Sequence, residues 1–165
     1  MGGGKGLVAC DVRENRLPLI TENFARLGIE GAKVLLNDGA AYNAELAGMD
    51  RVLCDVPCSG RGVLPSKPDI RYNSADSFTS LPPLQLSILK TASQYVEKGG
   101  VVVYSTCTIR PEENENIVKE FLSQTTEFEL VPPDSLGIPP LQGSRNDGSM
   151  LTILPHLTGQ DGFFV

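Results

Sequence analysis

Four short apolar runs constrain the fold of this chain: Leu7 to Cys10, Val34 to Leu36, Arg51 to Cys54, and Val101 to Tyr104. Each has the length of a buried strand, and between them the apolar period changes to that of a helix. Leu17, Ile20, Phe24 and Leu27 share one face of a helix expected over about 13–27, with Pro18 in its first turn and Gly28 as its cap. Residues 40–49 read as a loop or short helix. Leu84, Ile88, Leu89, Ala92, Tyr95 and Val96 form the buried stripe of a second helix over about 83–97, ended by Lys98-Gly99-Gly100. A third starts after Pro111, with Glu112 and Glu113 at its positive end and Ile117, Val118, Phe121 and Leu122 facing the core. Strand, helix, strand repeated in this way specifies an α/β fold with a mostly parallel sheet and right-handed crossovers.

The C-terminal part reads differently. Residues 128–131 suggest another strand, and 132–149 a Pro/Gly/Ser-rich surface loop. Leu151 to Leu154 and Phe163 to Val165, separated by turn-forming residues, read as a hairpin that adds an antiparallel edge. At 165 residues the chain is long enough for one domain with a core, taken as 1–165.

In a parallel α/β sheet, ligands collect just outside the carboxyl ends of the strands. Here those ends carry Asp11, Asn37-Asp38, Asp55 and Ser105. Carboxylates so placed suit the hydroxyls and amines of a nucleoside-like ligand; the alternative is that such an Asp caps the following helix, as Asp11 could. Two cysteines stand just past strand ends, Cys58 in Asp55-Val56-Pro57-Cys58-Ser59-Gly60 and Cys107 in Ser105-Thr106-Cys107-Thr108. Cys10 and Cys54 lie within strand-like runs and read as core residues. A thiolate is a nucleophile, and nearby positive charge or a helix start lowers its pKa. Cys107 is three residues from Arg110, and Cys58 three from Arg61. The segment 59–83 between the third strand and the second helix is rich in Gly, Pro, Ser and Asp, and loops this long are more often functional than idle.

Other chemistries fit less well. Gly2-Gly3-Gly4-Lys5 is not a phosphate loop, because no strand precedes it and the full spacing is absent. There is no Cys-x-x-Cys pair, and the single His156 is distant in sequence, so no metal site is expected. A Cys–His hydrolase would need His156 against one thiol and would leave the other unexplained. No apolar run is long enough for a membrane span, and no signal peptide is evident, so the reading is cytoplasmic with free thiols. A formal net charge of −6 is unusual for a nucleic-acid enzyme, although Arg61, Lys67, Arg71 and Arg110 concentrate positive charge near the cysteines or form a solvated patch.

Asp55-Val56-Pro57-Cys58-Ser59-Gly60 with Gly62-Val63-Leu64 and Pro68-Asp69-Ile70 resembles motif IV of the Sun/Fmu-type RNA cytosine-5 methyltransferases. Tyr104-Ser105-Thr106-Cys107-Thr108 with Pro111-Glu112-Glu113-Asn114-Glu115 resembles their motif VI, and Leu154-Pro155-His156 with Asp161-Gly162-Phe163-Phe164 their ending. The likeness runs over nearly the whole chain and is strongest to the bacterial enzymes acting on 16S rRNA. It implies a Rossmann-like fold that uses S-adenosylmethionine to methylate C5 of a cytosine in RNA, with rRNA the preferred partner and tRNA the next. By this resemblance Cys107 attacks C6, Cys58 resolves the adduct, and Asp55 holds the base and borders the cofactor. Asp11 would meet the ribose, Asp38 the adenine, and Arg16 matches a family position of less defined role.

The resemblance also implies a departure. The family's first strand carries a Pro-Gly-Gly-Lys loop that wraps the methionine end of the cofactor, and it would lie upstream of residue 1. Gly3-Gly4-Lys5-Gly6 matches instead a variable turn before the second strand. The expectation is thus a partial domain whose first strand, between those ending at Asp11 and Asp55, is missing and which binds cofactor weakly. The alternative is a non-catalytic RNA- or protein-binding remnant of the fold; retention of both cysteines speaks for the enzyme.

Overall fold

The computed structural model of the chain describes residues 6–73, 76–132, 144–146 and 150–165. The Gly-rich start and most of the loop expected over 132–149 lie outside the described residues. Strand β1 (Val8–Asp11) leads through a 3-10 turn (Glu14–Arg16) into helix α1 (Leu17–Arg26), shorter than the expected 13–27. Pro18 occupies its first turn, where a missing N–H is harmless, and Gly28 turns the chain at φ +67°. Leu17, Ile20 and Phe24 are half-buried, whereas Leu27 falls past the helix and is exposed. Strand β2 (Lys33–Leu36) pairs with β1 in parallel, setting Asp11 opposite Leu36.

Strand β3 (Met49–Asp55) pairs in parallel with β4 (Val96–Ser105), setting Asp55 opposite Ser105. Helix α3 (Leu81–Ser93) connects them, preceded by a 3-10 turn (Pro68–Tyr72) and the short helix α2 (Asp76–Thr79) within the loop expected over 59–83. The second helix thus ends before Tyr95 and Val96, which the periodicity assigned to it. The Tyr95 carbonyl accepts the Met49 N–H at 2.8 Å, so pairing with β3 captures the backbone before the helix can continue. Lys98-Gly99-Gly100 lies inside β4 at a bulge, with Met49 opposite Val96 and Arg51 opposite Val101.

Helix α4 (Glu115–Ser123) follows a 3-10 turn (Pro111–Glu113). Helix α3 lies across β3 and β4 and against α4, and Cys54, Val56, Leu89, Tyr104, Ile117 and Phe121 form the shared core. The stripe of α3 departs from expectation: Leu84 is exposed, while Gln85 and Thr91 are buried. Residues 128–131 are not a strand; Phe128 packs on Phe121, ring centroids 5.4 Å apart. Strand β5 (Ser144–Asn146) lies within the stretch expected to be loop and pairs antiparallel with β6 (Leu151–Ile153). Helix α5 (Pro155–Thr158) separates β6 from β7 (Phe163–Phe164), which completes the antiparallel hairpin. Phe164 is buried against Tyr104, and reciprocal bonds between Thr106 and Phe164 fasten the hairpin to the end of β4.

Among the described residues, the parallel strands form two separate pairs, β1–β2 and β3–β4, rather than one sheet. On one side β1 and β3 have no strand partner, which agrees with the expected gap between the strands ending at Asp11 and Asp55. Leu53, in mid-strand, is 71% exposed, and Cys10 is exposed rather than buried as expected. The loop after β2 ties the two pairs together. The Tyr95 hydroxyl accepts the Asn43 N–H at 2.9 Å and donates to the Ala41 carbonyl at 3.2 Å, Thr91 Oγ1 donates to the Ala40 carbonyl, and Tyr42 stacks on Tyr95. No helix of the described residues is long and apolar enough to cross a membrane.

The difference in burial predicts a difference in stability. Phe164→Ala is expected to destabilise the chain by about 3–5 kcal/mol, and Leu53→Ser by less than about 0.5 kcal/mol. Urea unfolding of both variants measures this; similar losses would contradict the bare edge of β3.

Candidate active site

Because β3 and β4 are parallel and in register, their carboxyl ends release two turns side by side. Cys58 follows β3 by three residues and Cys107 follows β4 by two, and their sulfurs lie 3.0 Å apart. Asp55 closes β3 with its carboxylate exposed on this edge, where Oδ1 accepts the Ser105 hydroxyl at 2.9 Å. The structure therefore brings together three of the residues that the sequence placed at strand ends, Asp55, Cys58 and Cys107.

The sulfurs are not equivalent. A hydrogen bond from the Cys58 thiol, the largest influence, holds Cys107 down at about 7, with a smaller contribution from Lys67, while burial and Asp55 oppose it. The same bond, together with burial, pushes Cys58 far up, so Cys107 is the more readily ionised of the pair. Burial pushes Cys54 up to about 12, as befits a core residue.

Buried polar side chains hold the two turns. Glu113 and Gln85 are fully buried. Glu113 Oε2 accepts the Ser59 N–H at 2.8 Å and Gln85 Nε2 at 3.1 Å, and Nε2 also donates to the Pro57 carbonyl at 2.8 Å. Both flanks of Cys58 are thereby fixed. Asn114, also fully buried, accepts the Thr106 hydroxyl at 2.6 Å and donates to the Thr108 carbonyl at 3.0 Å, which fixes both flanks of Cys107. The Ser59 and Thr108 hydroxyls join the two turns at 3.0 Å. The sequence reading assigned Glu113 to the helix dipole and overlooked Gln85 and Asn114. For Gln85 the only signal was a polar residue at the edge of an apolar stripe, which periodicity alone reads as solvent-facing; Glu113 and Asn114 stood in the block resembling motif VI, without a role assigned there.

Gly62 brings in the C-terminal hairpin. Its N–H donates to the Cys107 carbonyl at 3.0 Å, and its carbonyl accepts the Gly162 N–H at 2.7 Å. A Cβ at Gly62 would stand 2.2 Å from the Gly162 carbonyl oxygen, so the close approach of the backbones requires glycine. On the rim, the guanidinium groups of Arg61 and Arg110 lie 5.0 and 5.8 Å from the ring centre of buried Phe78. Arg71 is exposed, and Lys67 acts on Cys107.

Asp11 and Asp38 stand at and just beyond the ends of β1 and β2. Asp11 Oδ1 accepts the Arg13 N–H at 2.8 Å in an Asx turn and Oδ2 pairs with Arg16 at 3.5 Å, whereas neither the 3-10 turn nor α1 carries a side-chain cap, so Asp11 does not cap the helix. Asp38 is exposed, with Oδ1 accepting the Ala40 N–H at 2.9 Å. Among the described residues, no cluster of three or more His, Cys, Asp or Glu side chains could hold a metal ion. His156 is exposed on α5, and among the described residues no bond joins it to either thiol.

A family model described as 16S rRNA methyltransferase RsmB/F matches residues 1–165. The "probable ribosomal RNA small subunit methyltransferase B" of Synechocystis sp. is 38% identical over 170 residues, covering 100% of this chain and 37% of that protein. The protein of the same description from Bacillus subtilis is 38% identical, covering 98% of this chain and 37% of its own length. The chain thus spans little more than a third of the curated relatives it matches. A crystal structure of PH0851 superposes with a TM-score of 0.85 at 29% identity, covering 95% of this chain and 35% of that one. NSun6 from Pyrococcus horikoshii, solved with SFG, gives 0.71 at 27% identity, covering 95% and 39%.

The asymmetry of the thiols sets a pH dependence. Alkylation by iodoacetamide follows the thiolate, so Cys107 is expected to react about tenfold more slowly at pH 5 than at pH 6, then to level off above pH 8. Cys58 and Cys54 stay largely unmodified over that range. Peptide mapping by mass spectrometry measures each site, and faster labelling of Cys58 than Cys107 at pH 7 would reverse the assignment.

Proposed function

Since the chain belongs to the 16S rRNA methyltransferase RsmB/F family, we propose that it forms most of the catalytic domain of an RNA cytosine-5 methyltransferase. The observation that carries this reading is the pair of sulfurs 3.0 Å apart beside Asp55, at the carboxyl ends of adjacent parallel strands. A core cysteine needs no polar turn around it, and a non-catalytic binding module needs no pair of thiols.

Cytosine C5 is a weak nucleophile. Cys107, poised as thiolate, adds to C6 and forms a C–S bond, and the electron pair displaced from the C5–C6 double bond makes C5 nucleophilic. Asp55 faces the base and hydrogen-bonds its edge, offsetting charge that develops on the ring nitrogen. When bound, S-adenosylmethionine supplies the electrophilic methyl group that C5 takes. The C5 proton then passes to water at the open edge, its electron pair re-forms the C5–C6 double bond, the C–S bond breaks, and the Cys107 thiolate is expelled; Cys58 acts in this resolution. The target base must be unstacked or single-stranded to reach the thiol.

The residues present fit the nucleoside part of the cofactor. Carboxylates accept hydrogen bonds from hydroxyls and amines, and each has more acceptor sites than the bonds described here occupy. Asp11 would hold the ribose, Asp38 the adenine side, and Asp55 would border the cofactor as well as the base. NSun6, solved with an S-adenosylmethionine analogue, supports this use of the fold. The names of the relatives favour rRNA as substrate; tRNA as the next choice and a cytoplasmic setting rest on the sequence reading alone. Arg61, Lys67 and Arg110 supply positive charge near the thiols for RNA phosphates despite the net charge of −6.

One observation favours a second reading, a non-catalytic RNA- or protein-binding remnant: β1 and β3 each lack a strand partner on one side among the described residues. For the same reason the 165-residue chain by itself is expected to bind S-adenosylmethionine weakly. Isothermal titration tests this, and a micromolar dissociation constant would refute it. To separate the two readings, the protein at its full length is incubated with S-adenosylmethionine and RNA containing 5-fluorocytosine. A denaturation-resistant adduct is expected, lost in Cys107→Ala. Cys58→Ala should accumulate adduct on unmodified RNA, and no adduct in either experiment would favour the remnant.

A further inference from the structure

The proposed chemistry names two thiols and an aspartate but leaves unexplained a buried acid–amide pair directly behind them. Glu113 and Asn114 are consecutive and fully buried. The winding changes at Asn114, which stands between the 3-10 turn and α4, and the two side chains reach different loops. Glu113 bonds the N–H of Ser59, next to Cys58, and through Gln85 is linked to the Pro57 carbonyl on the other flank. Asn114 bonds Thr106 and Thr108, which enclose Cys107.

This arrangement is unfavourable as mere packing. Glu113 Oε1 and Gln85 Oε1 are buried without a hydrogen-bond partner, and the nearest cation to Glu113, Arg110 Nε, is 3.8 Å from Oε1. Turning the Gln85 amide over would gain nothing, since it would set its oxygen against the Pro57 carbonyl and the Glu113 carboxylate. An apolar pair would fill this space without orphaned acceptors. The feature such a pair could not supply is simultaneous anchoring of two loops to adjacent residues of one backbone. The carbonyl of Glu113 is itself held by the Tyr104 hydroxyl at 2.6 Å, which ties the pair to β4.

We propose that Glu113 and Asn114 are positioning residues that hold the Cys58 and Cys107 turns in mutual register and so set the approach of the two sulfurs. This rests on the divided-thiol reading above and adds the part of the fold that maintains it. Neither side chain touches a sulfur; each acts through the backbone flanking one.

The test reads the coupling of the thiols without RNA or cofactor. In the full chain, the pH profile of Cys107 alkylation by iodoacetamide is measured together with circular dichroism and thermal unfolding. The titratable groups acting on Cys107 are Cys58, Asp55 and Lys67, all retained in the positioning variants. Cys58→Ala removes the thiol that donates to Cys107 and should move the midpoint up by about one pH unit, slowing alkylation at pH 7 about fivefold. Glu113→Ala and Asn114→Ala should each move it the same way by at least half as much. Glu113→Gln, which keeps an oxygen for Ser59 and Gln85, should restore the original midpoint. A structural role alone would lower the unfolding temperature and leave the midpoint in place.

Folded Glu113→Ala and Asn114→Ala proteins with an unmoved midpoint, alongside a shifted Cys58→Ala, would overturn the proposal and leave the thiol reading intact. An unmoved Cys58→Ala midpoint would instead remove the thiol coupling, and the positioning role with it. If the alanine variants do not fold, Thr106→Val decides. It keeps its shape, deletes the bond to Asn114, and must move the midpoint upward for the proposal to stand.

Discussion

The parallel register of β3 against β4 is the constraint on which the other features depend. Asp55 lies opposite Ser105, so both strands end at the same level and their following turns leave the sheet together. Side chains alternate along a strand, and a slip of one residue would turn Cys54 and Tyr104 out of the core. It would also separate Asp55 from the Ser105 hydroxyl and move one cysteine turn past the other. The register is held by α3 and by the C-terminal hairpin. Helix α3 buries Leu89 and Ala92 against it, and the hairpin presses Phe164 on Tyr104 while Thr106 and Phe164 exchange backbone bonds. The edge that carries the two cysteines and the hydrophobic core are therefore consequences of the same pairing.

Beyond the strand ends, order passes from backbone ladders to buried side chains. The turns at Cys58 and Cys107 have few regular backbone bonds of their own, and the inward-turned Gln85, Glu113 and Asn114 supply what the ladders no longer do. A buried hydrogen bond contributes modestly when made, but a buried donor left without its acceptor costs about 1–3 kcal/mol. Such a network is therefore directional in a way that apolar packing is not. It suits a site in which one sulfur must be the donor and the other the acceptor. The cost falls on the acceptor oxygens of Gln85 and Glu113, which remain without partners.

Much of the architecture was legible in the sequence. The four apolar runs are all strands, and their intervening helices follow the expected order. The runs are short and β-rich, and the helix stripes have a clear period, so local signals agreed with the tertiary outcome. They failed where a long-range pairing intervened. Tyr95 and Val96 continue the period of α3, yet β3 takes the Tyr95 carbonyl and ends the helix. Phe128 lies in a strand-like stretch, yet its ring is used against Phe121. Cys10 looked like core because it lies in an apolar run, but among the described residues β1 has no strand on one side to cover it.

For the candidate site, the sequence by itself determined which chemical groups stand at the sheet edge: Asp11, Asp38, Asp55, Cys58 and Cys107 all follow strand-like runs by a few residues. That is a local property, because a parallel strand ending in a polar turn is written in consecutive residues. Only the tertiary structure decided which of these groups meet. Cys58 and Cys107 are 49 residues apart in sequence, and their 3.0 Å separation depends on strand register and on bonds from Glu113 and Asn114. Nor could the sequence tell which of the two thiols ionises more readily. That distinction arises from one hydrogen bond between two chemically identical groups and from unequal burial around them, which exist only once the chain has folded.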